Sequence, residues 1–253
     1  MYNLTNYPII LLLVSFAVLW LSARVGTRLL RHRALEEGAR DDFGVIQAAT
    51  LTLLGLILGF SFSMAINRYD QRKNLEEEEA NAIGTEYLRA DLLPAADAAK
   101  VKGLLERYTE QRIAFYNTRD LDEYRQIVAR TAKLQGELWS AVQIPAVAQP
   151  TPLSALAVAG MNDVLNSQGY TQAAWWNRIP ISAWGLMVTM AICCNVLTGY
   201  GARNGKAARM LLLVLPLVVS ITFMLIADID SPRGGLIRVH PQNLTNLLES
   251  LRP

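Results

Sequence analysis

The stretch from Phe43 to Arg89 constrains this chain more than any other. Its first part, Phe43–Ile66, carries no charge. Roughly 20 apolar residues are enough for a helix to cross the hydrocarbon core of a bilayer. No proline follows until Pro94, and the polar continuation RYDQRKNLEEEEANAIGTEYLR keeps helical spacing, with Ile83, Tyr87 and Ala90 at i, i+4 and i+7. The pattern predicts one helix that crosses the membrane and continues into water. Gly55, Gly59 and Ser63 recur at every fourth residue and so form one stripe. Small residues in a stripe let helices approach closely within lipid, and they equally line a narrow path. Both uses fit the sequence.

Composition agrees with a chain divided between lipid and water. Of 253 residues, 52% are hydrophobic and 18% charged, too apolar for an ordinary soluble domain and too charged for burial in lipid throughout. A net charge of +2 does not suggest nucleic acid as a partner. The two cysteines, Cys193 and Cys194, are adjacent, so on a helix they point about 100° apart and cannot easily bond to each other. The two histidines, His32 and His240, are far apart, so no zinc site is expected, and no cofactor is implied. GxSxG, P-loop and HExxH motifs are absent, as is a dinucleotide-binding glycine motif in a βαβ setting, so the chain does not read as an enzyme.

The expected fold is all-α: four spans with a helical-bundle extramembrane domain between spans two and three. Residues 1–66 hold spans one and two, at about 7–25 and 43–66. The first has its arginines after the apolar core rather than before it, unlike a signal peptide; a helix lying in the interface is the competing reading. Arg24–Asp42 reads as a charged loop with five arginines, and Asp41-Asp42 as a cap for span two. Residues 67–179 form the extramembrane domain. Pro94 should end the long helix. Val101, Leu104, Leu105, Tyr108, Phe115 and Tyr116 mark a second helix, and Asp120 with Glu123 resembles a capping box for a third. Tyr124, Ile127, Val128, Leu134, Leu138 and Trp139 would form its apolar side. Pro145, Pro150 and Pro152 suggest a turn, after which Thr151-Pro152 should open a helix reaching about Trp176. Residues 180–227 hold spans three and four, at about 180–199 and 210–227, joined by a basic loop with Arg203, Lys206 and Arg209. Pro216 suggests a kink. Trp175, Trp176, Trp184 and Tyr200 read as an interfacial belt. Residues 228–253 are a tail whose Leu244, Leu247, Leu248 and Leu251 would dock on a partner or on the bundle.

The loop after span one carries five Lys/Arg and the loop after span three carries three, whereas the N-terminus carries none. Positive charge marks cytoplasmic loops. The termini and the helical domain are therefore expected on the periplasmic side of a bacterial inner membrane, although Arg68, Arg72 and Lys73 weigh against this.

The segments LLGLILGFSFSMAINRYDQRKNLEEEEANAIGTEYLRADLLP and LIADIDSPRGGLIRV, with Arg178–Pro180 opening span three, resemble the bacterial bestrophin-like domain family. The resemblance runs from Phe43 to Leu251. More distantly, LGFSFSMAINRYDQRKN is similar to the end of the pore helix in true bestrophins. The resemblance implies a homo-oligomeric ion channel, pentameric in bestrophins and mostly anion-conducting, with span two lining the path. It also implies a cytoplasmic domain between spans two and three, against the charge count. The acidic cluster that binds calcium after the last bestrophin span is represented here by Asp228 and Asp230 alone.

The pore-lining candidates are Gly55, Gly59, Phe60, Phe62, Ser63 and Asn67. Phe60, Phe62 and Met64 would form an apolar constriction able to gate by dewetting, or would pack against the other spans. Arg68, Arg72 and Lys73 would form a basic mouth that draws anions, or would anchor to head groups. Glu76 and Glu79, in the acid run Glu76–Glu79, would form a cation-attracting vestibule in an oligomer or a divalent site, or would lie on a solvated face. Asp228, Asp230 and Arg233 fit an ion-pair and turn role better than a metal site, because two carboxylates are too few for calcium. Asn195 would hydrogen-bond between helices. A non-conducting membrane scaffold or sensor, whose helical domain binds a partner protein, is the alternative to a channel.

Overall fold

A computed structural model describes residues 6–32, 37–202 and 206–252. They form α1 (Pro8–His32), α2 (Glu37–Arg89), α3 (Ala95–Asn117), α4 (Leu121–Ala148), α5 (Pro152–Trp176), α6 (Ile181–Gly201), α7 (Lys206–Asp230) and α8 (Gln242–Leu251). No strand occurs among the described residues. Segments long and apolar enough to cross a bilayer lie within Pro8–Leu29, Asp41–Leu92, Pro152–Gly201 and Leu212–Asp230. The protein is an all-α, four-span membrane protein with an extramembrane helical bundle. The 53 residues of α2 extend about 80 Å at 1.5 Å per residue, well over twice the ~30 Å hydrocarbon core. Its apolar half alone is long enough to span that core.

The chain divides into two compact units that share α2. The first comprises Met1–Arg68 and Arg178–Arg238. In it, α1 packs on α6 and α7. The closest approach falls at two glycines: a Cβ on Gly26 would lie 2.1 Å from the Val196 carbonyl oxygen, and one on Gly199 would lie 2.0 Å from that of Ala23. Close backbone packing in lipid is thus assigned to Gly26 and Gly199. Helix α2 lies on α6 through Phe43, whose ring is 5.4 Å from that of Tyr200, and through Gln47, which donates to Thr198 Oγ1 at 3.2 Å. Hydroxyls with no water to bond instead donate one turn back along their own helices, Thr50 to Ile46, Thr189 to Gly185 and Thr222 to Val218.

The second unit comprises Tyr69–Asn177 and Val239–Pro253. Its core joins Ile83 of α2, Leu105, Tyr108 and Phe115 of α3, Leu138 and Val142 of α4, Met161 and Val164 of α5, and Leu244 of α8. Each such side chain contributes about 1.5–3 kcal/mol on burial. Helix α8 therefore docks on the bundle. Thr151 and Ser154 form a capping box at α5, with Pro152 in its first turn.

Several local expectations change. The segment read as the loop Arg24–Asp42 is helical as far as His32 and again from Glu37, because Leu29 and Leu30 continue the apolar run of α1; residues 33–36 lie outside the described set. Asp41 and Asp42 accordingly sit one turn inside α2 and do not cap it. The basic loop shortens likewise, since Lys206 and Arg209 belong to α7, while Arg203 lies outside the described residues. The long helix ends at Arg89 through a 3-10 turn, Ala90–Leu92, and Pro94 is the N-cap of α3. Pro145 does not break α4. It is buried in the last turn, where only one helical bond is lost, and its carbonyl accepts from Gln149. Asp120 caps α4 through the amides of Asp122 and Glu123, but Glu123 turns to Thr118 and leaves the box half made. The aromatic belt breaks up. Trp175 is buried against Phe115 (centroids 4.7 Å apart), Trp184 is buried edge-on to Phe223, and Trp176 alone of the three tryptophans is exposed. Asn195 bonds within its own helix, to Ala191 O at 2.8 Å. Pro216 lies within a continuous α7.

Candidate functional site

Helix α2 has one buried side along nearly its whole length. Partly or fully buried positions recur at Phe43, Gln47, Thr50, Leu54, Leu58, Ser61, Ala65, Arg68, Arg72, Glu76, Glu79, Ile83 and Glu86, in steps of three and four. At 100° per residue these positions share one face. The opposite face is exposed throughout, at Thr52, Leu56, Gly59, Phe60, Ser63, Asn67, Asp70, Asn74, Glu77 and Asn81. A Cβ placed on Gly55 or Gly59 would touch nothing within 4 Å among the described residues.

Among the pore-lining candidates, Gly59, Phe60, Ser63 and Asn67 lie on this open face, and Phe60 is 63% exposed. Gly55 lies toward its edge. Phe62 is turned toward the buried side and is half-buried. Thr52, Leu56, Asp70 and Asn74 share the face but were not singled out from sequence. Stepping by three and four from Phe60 and Ser63 would have found them.

The charge candidates separate by direction. Lys73 is exposed with Asp70, Glu77 and Glu78. Arg68 is partly buried and paired with Asp230 at 3.4 Å, while Arg72 is only 2% exposed. The acid run is two-faced, so it is not simply a solvated face. Glu76 is buried and accepts from the Leu244 amide at 3.0 Å and the Asn243 side chain at 2.7 Å, which ties α8 to α2. Glu79, fully buried, pairs with Arg112 and also accepts from Tyr116 and Thr171 at 3.4 and 3.3 Å. Burial works against the charge of Arg112, but Glu79 more than offsets it and raises the guanidinium pKa. Burial, then the Glu79 charge, pushes both Tyr108 and Tyr116 up, so both phenols stay neutral.

The turn after α7 saturates its two carboxylates. Asp228 accepts from the amides of Leu236 and Ile237 at 2.7 and 2.8 Å. Gly235 is required there, since a Cβ would lie 2.4 Å from Asp228 O. Asp230 accepts from the Ile179 amide at 3.2 Å and pairs with Arg68 and Arg178. Arg178 also donates to Asn6 at 2.5 Å. Arg233 is half-buried in the same turn. Among the described residues no group of three or more His, Cys, Asp or Glu side chains is placed to hold a metal ion.

Helices, apolar spans and a continuous two-faced α2 define a multi-pass helical membrane protein. Its family follows from comparison: the bestrophin-like domain model matches residues 9–244, and the chain belongs to that family. Solved structures agree on the fold. A variant of a bacterial bestrophin homologue from Klebsiella pneumoniae superposes with a TM-score of 0.67 at 12% identity, covering 95% of this chain and 97% of that one. Another structure of a Klebsiella pneumoniae bestrophin homologue gives 0.62 at 14% identity, covering 96% and 95%. A third, described only as a membrane protein, gives 0.65 at 13% identity, covering 96% of each. A comparison with curated proteins gives no match.

Proposed function

We propose that this protein is an ion channel in which several copies, five on the resemblance to bestrophins, surround a central path lined by the open face of α2. The observation that carries this reading is the continuity of that face. It is unfilled from Thr52 to Asn81, small or apolar in the membrane half and polar beyond it. Lipid would suit the first half of such a face but not the second, whereas a water-filled path that narrows in the membrane suits both. Phe60 is the bulkiest side chain on the membrane half and supplies the narrow point.

On selectivity we infer the opposite sign from the weak anion preference expected from sequence. That preference came from the resemblance to bestrophins and from Arg68, Arg72 and Lys73, and the first two of these side chains turn inward. The charges left exposed beyond the membrane half are Asp70, Lys73, Glu77 and Glu78, which repeat around a ring as an acidic mouth. The mouth therefore favours cations. With Arg68 and Arg72 so engaged, the remaining charge count keeps the termini and the helical unit on the periplasmic side of an inner membrane.

The deciding experiment is ion flux from liposomes holding the purified protein, with potassium and chloride gradients compared and subunit number measured on the same preparation. Cation-selective flux from a ring supports the reading. A monomer or dimer silent across pH, calcium and voltage overturns it in favour of a scaffold. Selective chloride flux overturns only the inferred sign. Periplasmic and cytoplasmic reporters fused after Gln149 test the orientation.

A further inference from the structure

The second unit buries three glutamates of α2, and two of them are matched. Glu76 accepts from Asn243 and the Leu244 amide, and Glu79 is paired with Arg112. Glu86 differs. It is 0% exposed, and neither carboxyl oxygen has a hydrogen-bond partner among the described residues. Its carboxyl group occupies a notch in α5 opened by Gly160, where a Cβ would lie 2.0 Å from Glu86 Oε2 and 2.6 Å from Arg89 Nη1. Two charged groups face it. Arg89 lies one turn further along α2, and Asp163 lies on α5. Arg89 Nη1 and Asp163 Oδ2 are 4.0 Å apart, so this ion pair joins the two helices.

A charged carboxylate without hydrogen bonds is costly in such a place, and the neutral acid is favoured. Burial pushes the Glu86 carboxyl up to about 8; Arg89 pulls it down and Asp163 pushes it up, each by less. Arg89 thus lies between two acids in different surroundings. Asp163 is 67% exposed at its side chain, and Glu86 is enclosed.

We propose that Glu86 is a proton-binding site that locks α5 to α2: protonated, it fills the Gly160 notch and leaves Arg89 to bridge to Asp163; ionised, it takes Arg89 for itself and releases α5. The released proton goes to bulk water and nothing is oxidised or reduced. Glu86 and Arg89 are three residues apart on one helix, a spacing at which an acid and a base meet. Ionisation therefore has two effects on the contact: it places charge in the notch and removes the bridge.

The direction of the response follows. The locked state holds the proton up to about pH 8, whereas an exposed glutamate releases it near 4.5. Opening thus releases one proton within that window, and each unit of pH there favours the open state about tenfold. Above about pH 8 both states have lost the proton and the effect levels off.

The test is hydrogen exchange of the α5 segment, residues 152–176, in the full-length protein in detergent at pH 7 and pH 9, corrected for intrinsic exchange. Wild type should open about tenfold more at pH 9, and Glu86→Gln, which cannot ionise, should show no such change. Equal pH dependence in Glu86→Gln, or none in wild type, overturns the proposal. Asp163→Asn decides the matter if Glu86→Gln does not fold. Removing that charge should raise exchange at pH 7 and move the midpoint to lower pH, and an unmoved midpoint overturns the proposal. The readout is local to the second unit and does not depend on conduction, so it stands or falls separately from the channel reading.

Discussion

Replacing Arg112 with methionine should destabilise the helical unit severely, because it leaves a buried carboxylate uncompensated. Arg112 and Glu79 are 1% and 0% exposed, so neither charge has access to water. The guanidinium also lies 4.3 Å from the centre of the Phe115 ring. Without it, Glu79 keeps the hydroxyls of Tyr116 and Thr171, which carry no compensating charge. Removing one partner of a buried ion pair costs about 3–5 kcal/mol, because the other is left charged and uncompensated. The double variant Glu79→Gln/Arg112→Met leaves no charge behind, so it should recover most of that loss. Urea unfolding of the full-length protein in detergent, followed by the fluorescence of Trp139 and Trp175, compares the single and double variants. An additive double variant would refute an uncompensated Glu79 as the cause.

Other consequences can be measured separately. Phe60→Ala should raise ion leak through reconstituted protein without lowering its stability, since the ring is 63% exposed; unchanged flux in a folded ring would remove Phe60 as the narrow point. Neutralising Asp70, Glu77 and Glu78 together should shift the reversal potential toward anions, and an unmoved potential would deny them a place at the mouth. Gly199→Ala should cost about 1–3 kcal/mol or separate α1 from α6, because the new methyl meets the Ala23 carbonyl at 2.0 Å; cysteine cross-linking between the two helices would report it. Asp120→Ala should cost about 1 kcal/mol, the usual worth of an N-cap, with the loss confined to the start of α4 in hydrogen exchange.

The spans were legible because lipid imposes a simple requirement. A chain without water must satisfy its own backbone bonds, and uninterrupted apolar runs such as Phe43–Ile66 report that directly. The continuation of α2 past Asn67 was legible for a similar reason: no breaker intervenes and the apolar spacing persists to Ala90. The cap at Thr151 and the apolar sides of α3 and α4 depend on neighbours a few residues apart, so local pattern was enough. Ends of helices were less legible. Leu29 and Leu30 carry α1 past its arginines, and Pro145 survives in a last turn where little hydrogen bonding is lost.

The direction of charge was not legible at all. Arg68, Arg72, Glu76 and Glu79 look like surface groups in the sequence, because charge runs on a helix normally meet water. Their partners are far along the chain: Asp230 for Arg68, Arg112 and Thr171 for Glu79, Asn243 and Leu244 for Glu76. A buried charge is tolerable only where such partners converge, and convergence is a property of the packed helices. The same holds for Glu86, whose notch exists because Gly160, 74 residues away, lacks a side chain at that level of α5. Sequence alone determined that this chain crosses the membrane several times and that one helix leaves it for water. Tertiary packing decided which face of that helix stays open and which of its charges remain exposed, because a helix face is assigned only when its neighbours are in place.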